Sequence, residues 1–499
     1  MTRDEAPSIR TTAFDRRESL VSIAVLVLAV VALRIPVFGF VPDLLTDEQL
    51  YALIGHGMTD GLLPYVDLWD RKPIGLFAIF ALADRLPFPS PQGYQIVAGI
   101  FTFSGAYLTC RIARQLTGPA NAVGAGIIYI VGLAYFGSDS GQSEVFHVPL
   151  MLAMFALVAL PQGKHFLLRS CIAMVVGGLA LQVKYTVAPQ CLLFGLIALW
   201  RLRLGGLSKC RLVGAAGLFG LLGLLPTIIV ATNYWYLGHF EAFWFANAES
   251  NFLRHGLGRF RPGNLPTMLT VTLVALIGIW FSLRKRPDQT PMQRELTACT
   301  HLWLASAALT TLIPGTFYLY YLAAVVPPFI LTILPMISSG GSIAAAAVVA
   351  GSLAILNPTK QWRESEAERP EIERLVQAIR PHVDATDKCL WVLDGRTDLY
   401  QRTGSCLPTR FIYPDHLNNR LERDSLPVSQ LAEVRRILAG KPSVIVDADL
   451  GYTIRSDDVM ELVRETLDRD YEPIAEARVT LRTLIVWKRK EPRLIKKDS

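Results

Sequence analysis

The sequence is short of charged residues. Only 18% of its 499 residues are Asp, Glu, Lys or Arg, whereas 52% are hydrophobic. A soluble protein of this size needs more charge to cover its surface, so the composition argues against a large soluble enzyme. Many apolar runs are instead long enough to cross a bilayer. The length allows one membrane domain and one soluble domain.

Three other features are missing from the sequence. It has no Gly-rich phosphate loop, which argues against nucleotide-sugar chemistry on the cytoplasmic side. Its histidines do not have a metal-binding spacing, so we assign no metal. It has no internal repeat of the kind that is typical of transporters.

The net charge of +7 comes from short basic clusters between apolar runs. This distribution follows the positive-inside rule, so we predict no nucleic-acid partner and place the clusters in the cytoplasm. The N-terminus is then cytoplasmic. The later cytoplasmic clusters are Arg111 and Arg114; Lys164 and Arg169; Arg201, Arg203, Lys209 and Arg211; and Arg284, Lys285, Arg286 and Arg294.

The apolar runs predict about eleven transmembrane helices. The first run, Ser19 to Phe40, could also be a signal peptide, but it is long and no A-x-A-like cleavage site follows it, so we favour an uncleaved span. The remaining spans are 95–111, 120–136, 145–161, 166–183, 187–200, 212–233, 266–283, 299–315, 318–336 and 342–357. An odd number of spans puts the C-terminus outside the cytoplasm.

One apolar segment, Pro73 to Phe88, is left out of this count. It offers about eleven apolar-rich residues before Asp84 and Arg85, too few for about 30 Å of hydrocarbon. We predict an interfacial or re-entrant helix that stays on the outer side. If this segment does not cross the membrane, the loops with clear basic clusters all fall on the cytoplasmic side, as the positive-inside rule requires.

The composition changes near residue 359, and we predict a soluble extracytoplasmic α/β domain over 359–499, after a transmembrane domain over 1–358. The segments "KCLWVLD", "SVIVDAD" and "TLRTLIVWK" are typical of strands, and "RESEAERPEIERLVQAIR" and "RSDDVMELVRETLDRD" of helices. Cys389 and Cys406 are the two cysteines of this domain. They could form a disulfide in an oxidising compartment, or stay unpaired.

Acidic residues follow the first span directly. The stretch "LLTDEQLYALIGHGMTDGLLPYVDLWDRKPIG" begins at Leu44 and contains Asp47 and Glu48. One interpretation is a helix start with Thr46 as N-cap and two acids in the first turn. That role does not exclude a second one, because a carboxylate at this depth is costly unless it is used or paired.

This outer loop resembles that of the GT-C glycosyltransferases, particularly the branch with protein O-mannosyltransferases and bacterial lipid A aminoarabinose transferases. The similarity rests on Asp47–Glu48, a nearby Tyr and "PYVDLWDRKP", although the family usually has Lys-Pro-Pro where this chain has Lys-Pro-Ile. Over about 350 residues the order of features also agrees. The further motifs are "GSDSGQSEVFHVPL", "GLALQVKYTVAPQ" and "FYLYYLAAVVPPF".

The resemblance implies a polyprenyl-phosphate-linked sugar donor and an inverting transfer outside the cytoplasm. Such a transfer needs a base for the acceptor and cations for the leaving phosphate. We assign Asp47 as the base, with Glu48 as its nearest rival. Phosphate binding is assigned to Arg71, Lys72 and Lys184, acceptor or cation binding to Asp139 or Glu144, and a groove for the lipid tail to Tyr320 and Tyr321.

Each assignment has a structural alternative. Arg71, Lys72 and Lys184 could only anchor helices at headgroup level, and Asp139 and Glu144 could only start the next helix. A divalent cation between Asp47 and Glu144 stays open, since only some GT-C members use one. The acceptor could be a glycan, a lipid or a protein.

The rival function is a transporter or lipid flippase with an accessory soluble domain, and a third is a non-catalytic assembly subunit. A transporter should carry ionisable residues near mid-membrane. Here the notable charges lie at the outer ends of spans, which favours chemistry at the surface of a bacterial inner membrane.

Overall fold

Ten long helices form the N-terminal part of the described chain. The structure is a computed structural model, and it describes residues 16–43, 45–160, 165–254, 265–284, 289–313, 318–339, 350–351 and 357–491. The long helices are Arg16–Arg34, Gln92–Ala113, Pro119–Tyr135, Ser143–Ala159, Phe166–Leu181, Ala188–Leu204, Lys209–Tyr236, Leu265–Leu283, Pro291–Leu312 and Val326–Ser339.

Six helical stretches of the described residues are long and apolar enough to cross a membrane. They are Glu18–Val37, Gln92–Ala113, Tyr185–Leu204, Lys209–Tyr236, Leu265–Leu283 and Leu319–Ser338. Helices suit this role because they satisfy every backbone hydrogen bond internally. The protein is therefore a polytopic helical membrane protein, and eleven spans stays a prediction. The predicted span 342–357 lies almost wholly outside the described residues, as do Lys164, Lys285 and Arg286.

Large apolar side chains point outward from this helical part. Leu221 and Ile229 on the helix Lys209–Tyr236 are 56% and 60% exposed. Contiguous exposed apolar surface of this kind is costly in water and is expected where a helix faces lipid.

Shorter helices connect the long ones. They are Thr46–Thr59, Ile74–Asp84, Phe240–Trp244 and Ser250–Leu253, together with the 3₁₀ helices Ile35–Val37, Tyr185–Val187 and Leu319–Val325 and the π-helix Phe245–Glu249.

The segment that we excluded from the spans forms the helix Ile74–Asp84. Its eleven residues extend only about 16 Å, roughly half of the hydrocarbon thickness. It packs closely on the helix Thr46–Thr59: a Cβ at Gly55 would lie 2.7 Å from the backbone nitrogen of Ala81. A glycine at this position is therefore needed for the two helices to approach.

The chain from Pro358 onwards forms a four-stranded mixed sheet with flanking helices. Its strands are β1 (Leu390–Val392), β2 (Val444–Ala448), β3 (Tyr471–Arg478) and β4 (Thr483–Arg489). Their order is β1-β2-β4-β3, with β1 parallel to β2 and the other pairs antiparallel. The helices are Pro358–Ile379, Arg380–His382, Asp398–Thr403, Pro414–Asn418, Arg420–Glu422, Gln430–Ala439 and Asp457–Asp470. A disulfide joins Cys389 to Cys406.

This sheet-containing part is fixed by buried polar contacts to the segment that joins the first long helix to the helix Thr46–Thr59. Arg482 Nε lies 2.7 Å from Asp43 Oδ2, and the backbone N–H of Asp43 donates to Glu368 at 3.1 Å. Arg396 donates to the carbonyl of Val41. Because these charged groups are buried, their pairing makes separation of the two parts costly.

Candidate active site

A cavity of about 550 Å³ lies where the helical part meets the sheet-containing part. We call it the transfer cavity. Its polar and aromatic lining comprises Thr46, Asp47, Asp70, Arg71, Lys72, Tyr135, Asp139, Gln142, Arg254, Tyr318, Tyr320, Tyr321, Gln361, Glu364, Ser365, Tyr413, Asp415, His416, Glu422, Tyr452 and Thr480. Residues from both parts of the chain thus enclose one space.

Asp47 lines the transfer cavity and is held by two tyrosines. The hydroxyl of Tyr320 donates to Oδ2 at 3.3 Å, and that of Tyr413 donates to Oδ1 at 3.2 Å. The helix Thr46–Thr59 begins beside it, so its positive N-terminal end favours the ionised carboxylate. Leu45, not Thr46, is the N-cap residue, and the Thr46 hydroxyl instead contacts that of Tyr413. The capping interpretation of Thr46 is therefore wrong.

Glu48 does not line the transfer cavity in the described structure. Its side chain is fully buried, and Oε2 accepts hydrogen bonds from Ser140 Oγ at 2.6 Å and from the Gly141 N–H at 2.8 Å. Burial raises the pKa of Glu48 to about 7. Successive helical residues point about 100° apart, so Asp47 and Glu48 face different surroundings. Glu48 therefore anchors the loop that contains Ser140 and Gly141, and its assignment as a rival base has no geometric support.

Lys72 also lines the transfer cavity. Burial opposes its charge, but the nearby acidic groups, Asp47 foremost among them, together outweigh that cost and raise the pKa of Lys72. Its ammonium lies 5.9 Å from the ring centre of Tyr51. Lys72 and Asp47 therefore line the same cavity, and phosphate binding by Lys72 stays a prediction.

Asp70 shapes the loop that carries Lys72. Its Oδ1 accepts from the backbone N–H of Lys72 at 2.8 Å, and Oδ2 lies 3.4 Å from Nε2 of His416. Burial disfavours its charge, yet the hydrogen bond and charge of His416, together with Lys72, lower the pKa of Asp70. This pair ties the loop to the sheet-containing part.

Arg71 is tied to a buried carboxylate across the transfer cavity. Its NH1 donates to Oε1 of Glu422 at 2.9 Å, and Arg254 Nε lies 2.7 Å from the same oxygen. Burial alone would raise the pKa of Glu422, but the two guanidinium groups lower it well below its usual range. Both guanidinium groups therefore contact the same carboxylate at the wall of the transfer cavity.

Lys184 and Glu144 form a buried ion pair next to the cavity wall. Neither residue is among those that line the transfer cavity. The Lys184 ammonium lies 4.3 Å from the ring centre of Tyr321 and 5.7 Å from that of Tyr320. Phosphate binding by Lys184 and acceptor or cation binding by Glu144 therefore stay predictions, and in the described structure the two side chains are paired with each other behind the tyrosines.

Tyr320, Tyr321 and Asp139 do line the cavity. Tyr320 stacks on Tyr318 with ring centres 5.4 Å apart, and Tyr321 meets Tyr320 edge-on at 4.9 Å. The three rings form a rigid aromatic wall. Asp139 lies on the opposite loop, where it is 9% exposed.

The described residues contain no group of three His, Cys, Asp or Glu side chains that could hold a metal ion. The predicted cation pair of Asp47 and Glu144 is not assembled, because Glu144 is paired with Lys184 behind the wall. We assign no metal role to these residues.

Sequence reasoning missed the contribution of the C-terminal part. Tyr413, Asp415, His416, Glu422 and Tyr452 all line the transfer cavity, but "YPDH" resembles no functional motif and lies more than 340 positions from Asp47 in the chain. Arg254 was missed as well, since it follows an aromatic stretch that is typical of a membrane interface. Only the folded arrangement brings these residues to the site.

Burial raises the pKa of one of the residues that the sequence did not predict, Asp415. Asp415 accepts from the Thr453 hydroxyl at 2.8 Å, but burial, with the nearby charges of Glu422 and Asp394, raises its pKa to about 7. The lining of the transfer cavity therefore includes, in Asp415, a carboxyl group whose pKa is raised toward neutral pH.

Comparison with solved structures identifies the architecture. ArnT from Cupriavidus metallidurans, solved bound to undecaprenyl phosphate, aligns over 94% of this chain and 97% of its own, with a TM-score of 0.60 and 12% identity. The fold is the GT-C fold. The GT-C resemblance inferred from the first outer loop is thereby confirmed.

A second GT-C structure agrees with this assignment. The Archaeoglobus fulgidus oligosaccharyltransferase, tethered to an acceptor peptide, aligns over 87% of this chain and 69% of its own, with a TM-score of 0.53 and 10% identity. No protein-family model and no curated protein sequence matches the chain. At these identities the similarity establishes the GT-C fold.

Proposed function

We propose that the protein is an inverting glycosyltransferase that moves a sugar from a polyprenyl-phosphate donor to an extracytoplasmic acceptor. The single observation that carries this proposal is the shared lining of the transfer cavity by Asp47 and Lys72. A carboxylate held by two tyrosines and a nearby cation suit proton removal and phosphate stabilisation. The undecaprenyl phosphate bound to the structurally similar ArnT supports the class of donor.

In the proposed step, the acceptor O–H or N–H attacks the anomeric carbon of the sugar. The bond between that carbon and the phosphate oxygen breaks, and the polyprenyl phosphate leaves with the bonding electron pair. Asp47 takes the acceptor proton, so charge moves from the carboxylate to the departing phosphate. Attack from the face opposite the phosphate inverts the anomeric centre.

The developing phosphate charge needs fixed cations. Lys72 is the first candidate, and Arg71 and Arg254, which share the carboxylate of Glu422, lie in the same lining. The aromatic wall of Tyr318, Tyr320 and Tyr321 offers an apolar face to the first isoprenyl units or to the sugar ring. Asp139, which also lines the cavity, is the candidate for acceptor binding.

We further propose that the protein lies in the bacterial inner membrane, with a cytoplasmic N-terminus and the region 359–499 as an extracytoplasmic domain. The basic clusters at Arg111–Arg114 and Arg201–Arg211 support this orientation. The disulfide Cys389–Cys406 supports an oxidising location for this region.

Mass spectrometry of surface glycans and glycolipids, with and without the gene, tests the proposal. We expect one sugar to be missing from one class of surface molecule, while its polyprenyl-phosphate donor accumulates. Unchanged surface glycans and an unchanged donor pool would contradict the proposal. A flippase would instead leave the donor trapped on the cytoplasmic side, which an impermeant periodate treatment of intact spheroplasts detects.

A further inference from the structure

A second cavity, of about 620 Å³, borders the same helix as the predicted base. Gln49, Ala52 and His56 line it, and their spacing of three, four and seven residues puts them on one face of the helix Thr46–Thr59. Asp47 lines the transfer cavity and is not among the residues of the second cavity. The helix therefore separates two binding spaces.

Both parts of the chain also enclose this second cavity. The loop before the long helix Gln92–Ala113 contributes one wall, and the helices Pro358–Ile379 and Asp398–Thr403 contribute the other. The remaining lining residues are Gly39, Phe40, Val41, Asp84, Phe88, Pro89, Ser90, Pro91, Tyr94, Arg369, Glu373, Arg396, Asp398, Gln401 and Arg402.

The charged residues of this lining largely neutralise one another. Arg396 NH2 lies 2.7 Å from Asp398 Oδ2, and Arg402 NH2 lies 2.6 Å from Glu373 Oε2. His56 Nδ1 lies 2.9 Å from Asp84 Oδ2. An anionic ligand would have to compete with these carboxylates for Arg396 and Arg402, and the third arginine of the lining, Arg369, lies 3.7 Å from Glu366. The lining therefore does not favour a phosphate group.

Apolar and aromatic surfaces lie beside these polar pairs. Phe88 is 46% exposed at the cavity, and Tyr94 and Phe40 are buried in its wall. The guanidinium groups of Arg369 and Arg396 each lie 5.5 Å from the ring centre of Phe40. Rings beside paired donors and acceptors suit a ligand that has both an apolar face and many hydroxyl groups.

One buried group in this lining lacks a partner. Gln49 is only 2% exposed, and its Nε2 donates to the carbonyl of Pro42 at 3.3 Å. Its Oε1 has no hydrogen-bond partner among the described residues. A buried carbonyl oxygen without a donor destabilises the protein, and a ligand hydroxyl that reached it would remove that cost.

We propose that the second cavity is a binding site for a neutral saccharide, separate from the transfer cavity. Ring-face contacts would be made by Phe88, and hydroxyl groups would be bound by Gln49, Gln401 and the oxygens of the Arg–carboxylate pairs. The site does not depend on the proposed transfer chemistry, since it shares no catalytic residue with it.

Binding measured on the full-length protein in nanodiscs tests this site. An array of neutral, aminated and phosphorylated oligosaccharides that includes mannotriose, cellotriose and chitotriose is screened first, and the strongest neutral ligand is then titrated. We expect Phe88→Ala and Gln401→Ala each to weaken its binding about tenfold. Phe38→Ala is the matched control, because Phe38 is 45% exposed and lines neither cavity.

Further binding measurements distinguish a saccharide site in the second cavity from binding in the transfer cavity and from a phosphate site. Asp47→Asn should bind the saccharide with unchanged affinity, whereas loss of binding would place the sugar in the transfer cavity and overturn the proposal. No binding by any array member, unchanged binding by both wall variants, or displacement by inorganic phosphate would also overturn it. The same saccharide attached to a lipid is then used as a competitor. If it competes more strongly than the free saccharide, the natural ligand is a glycolipid headgroup. If it competes more weakly, the natural ligand is a soluble glycan, and both results support the site.

Discussion

Tyr413 and Asp47 are joined by a hydrogen bond of 3.2 Å, although 366 positions separate them in the chain. Asp47 begins a helix of the membrane part, and Tyr413 precedes the short helix Pro414–Asn418 of the sheet-containing part. The second tyrosine on this carboxylate, Tyr320, comes from the membrane part. The orientation of Asp47 therefore depends on the docking of both parts.

Removing either tyrosine hydroxyl should slow sugar transfer. Tyr413→Phe and Tyr320→Phe each delete one donor to a carboxylate, and such charged hydrogen bonds contribute about 1.5–3 kcal/mol, so we expect a drop of about tenfold to a hundredfold. Tyr471→Phe is the control, because its hydroxyl donates to Pro442 within the sheet-containing part, away from the transfer cavity. Initial rates of transfer in proteoliposomes provide the measurement. Equal rates in all three variants would refute this role.

Asp47→Asn and Glu48→Gln should have opposite outcomes. Asp47→Asn retains the shape of the side chain and loses the proton acceptor, so we expect no detectable transfer with normal expression and folding. Glu48→Gln retains an oxygen that can accept from Ser140 and Gly141, so it should keep most of the activity. Surface-glycan mass spectrometry of a deletion strain complemented with each variant compares them. Normal glycans with Asp47→Asn would exclude it as the base.

Glu422→Gln should destabilise the protein strongly. The change leaves the buried guanidinium groups of Arg71 and Arg254 without their shared counter-charge, and breaking a buried pair in this way costs about 3–5 kcal/mol. Asp458→Asn is the matched control, since it removes an acid from a more exposed pair with Arg423 and should cost at most about 1 kcal/mol. Thermal unfolding of both variants in detergent checks the difference.

Asp415 should make stability depend on pH. Its pKa in the folded protein, raised mainly by burial, is about 7, whereas the unfolded chain releases the proton near its ordinary value. Between about pH 4 and 7 the folded state binds more protons than the unfolded state, so stability falls as the pH rises and then levels off. Asp415→Asn removes this contribution.

The experiment compares unfolding midpoints of wild type and Asp415→Asn from about pH 5 to 8. The quantity compared is the unfolding midpoint of the variant minus that of wild type. We expect this difference to rise with pH and to level off above about pH 7. Asp457→Asn, at the start of another helix of the same part, serves as a control that should not reproduce the trend. A constant difference across this range would show that Asp415 does not titrate there.

The sequence was sufficient for the parts of the fold that local physics determines. Apolar length predicted the long helices, and eleven apolar residues excluded the helix Ile74–Asp84 from the spans. Strands β1, β2 and β4 follow the predicted apolar segments, but β3 was not predicted, since "YEPIAEAR" contains two acids and a proline. Its edge position in the sheet explains why such residues are tolerated.

The predicted residues that line the transfer cavity, Asp139, Tyr320 and Tyr321 among them, all belong to the helical part of the chain. Asp47, Arg71 and Lys72 belong to one loop, and this loop alone predicted them as a group. Nothing in the sequence indicates that Lys184 is paired with Glu144, or that Glu422 joins Arg71, because these contacts depend on long-range packing. Charge pairing decides which cations stay available to a ligand, and that pairing is a property of the fold.

Chemical labelling can establish which side of the membrane carries the first outer loop. Asp60 lies in this loop with its side chain 62% exposed, so Asp60→Cys should react in intact spheroplasts with an impermeant maleimide. Cys210 is an internal control, because it is exposed at the start of a helix that follows a basic cluster and should react only after lysis. Labelling of Cys210 from outside, with Asp60→Cys protected until lysis, would invert the topology and move Asp47 to the cytoplasmic side, where a transfer to extracytoplasmic acceptors is impossible.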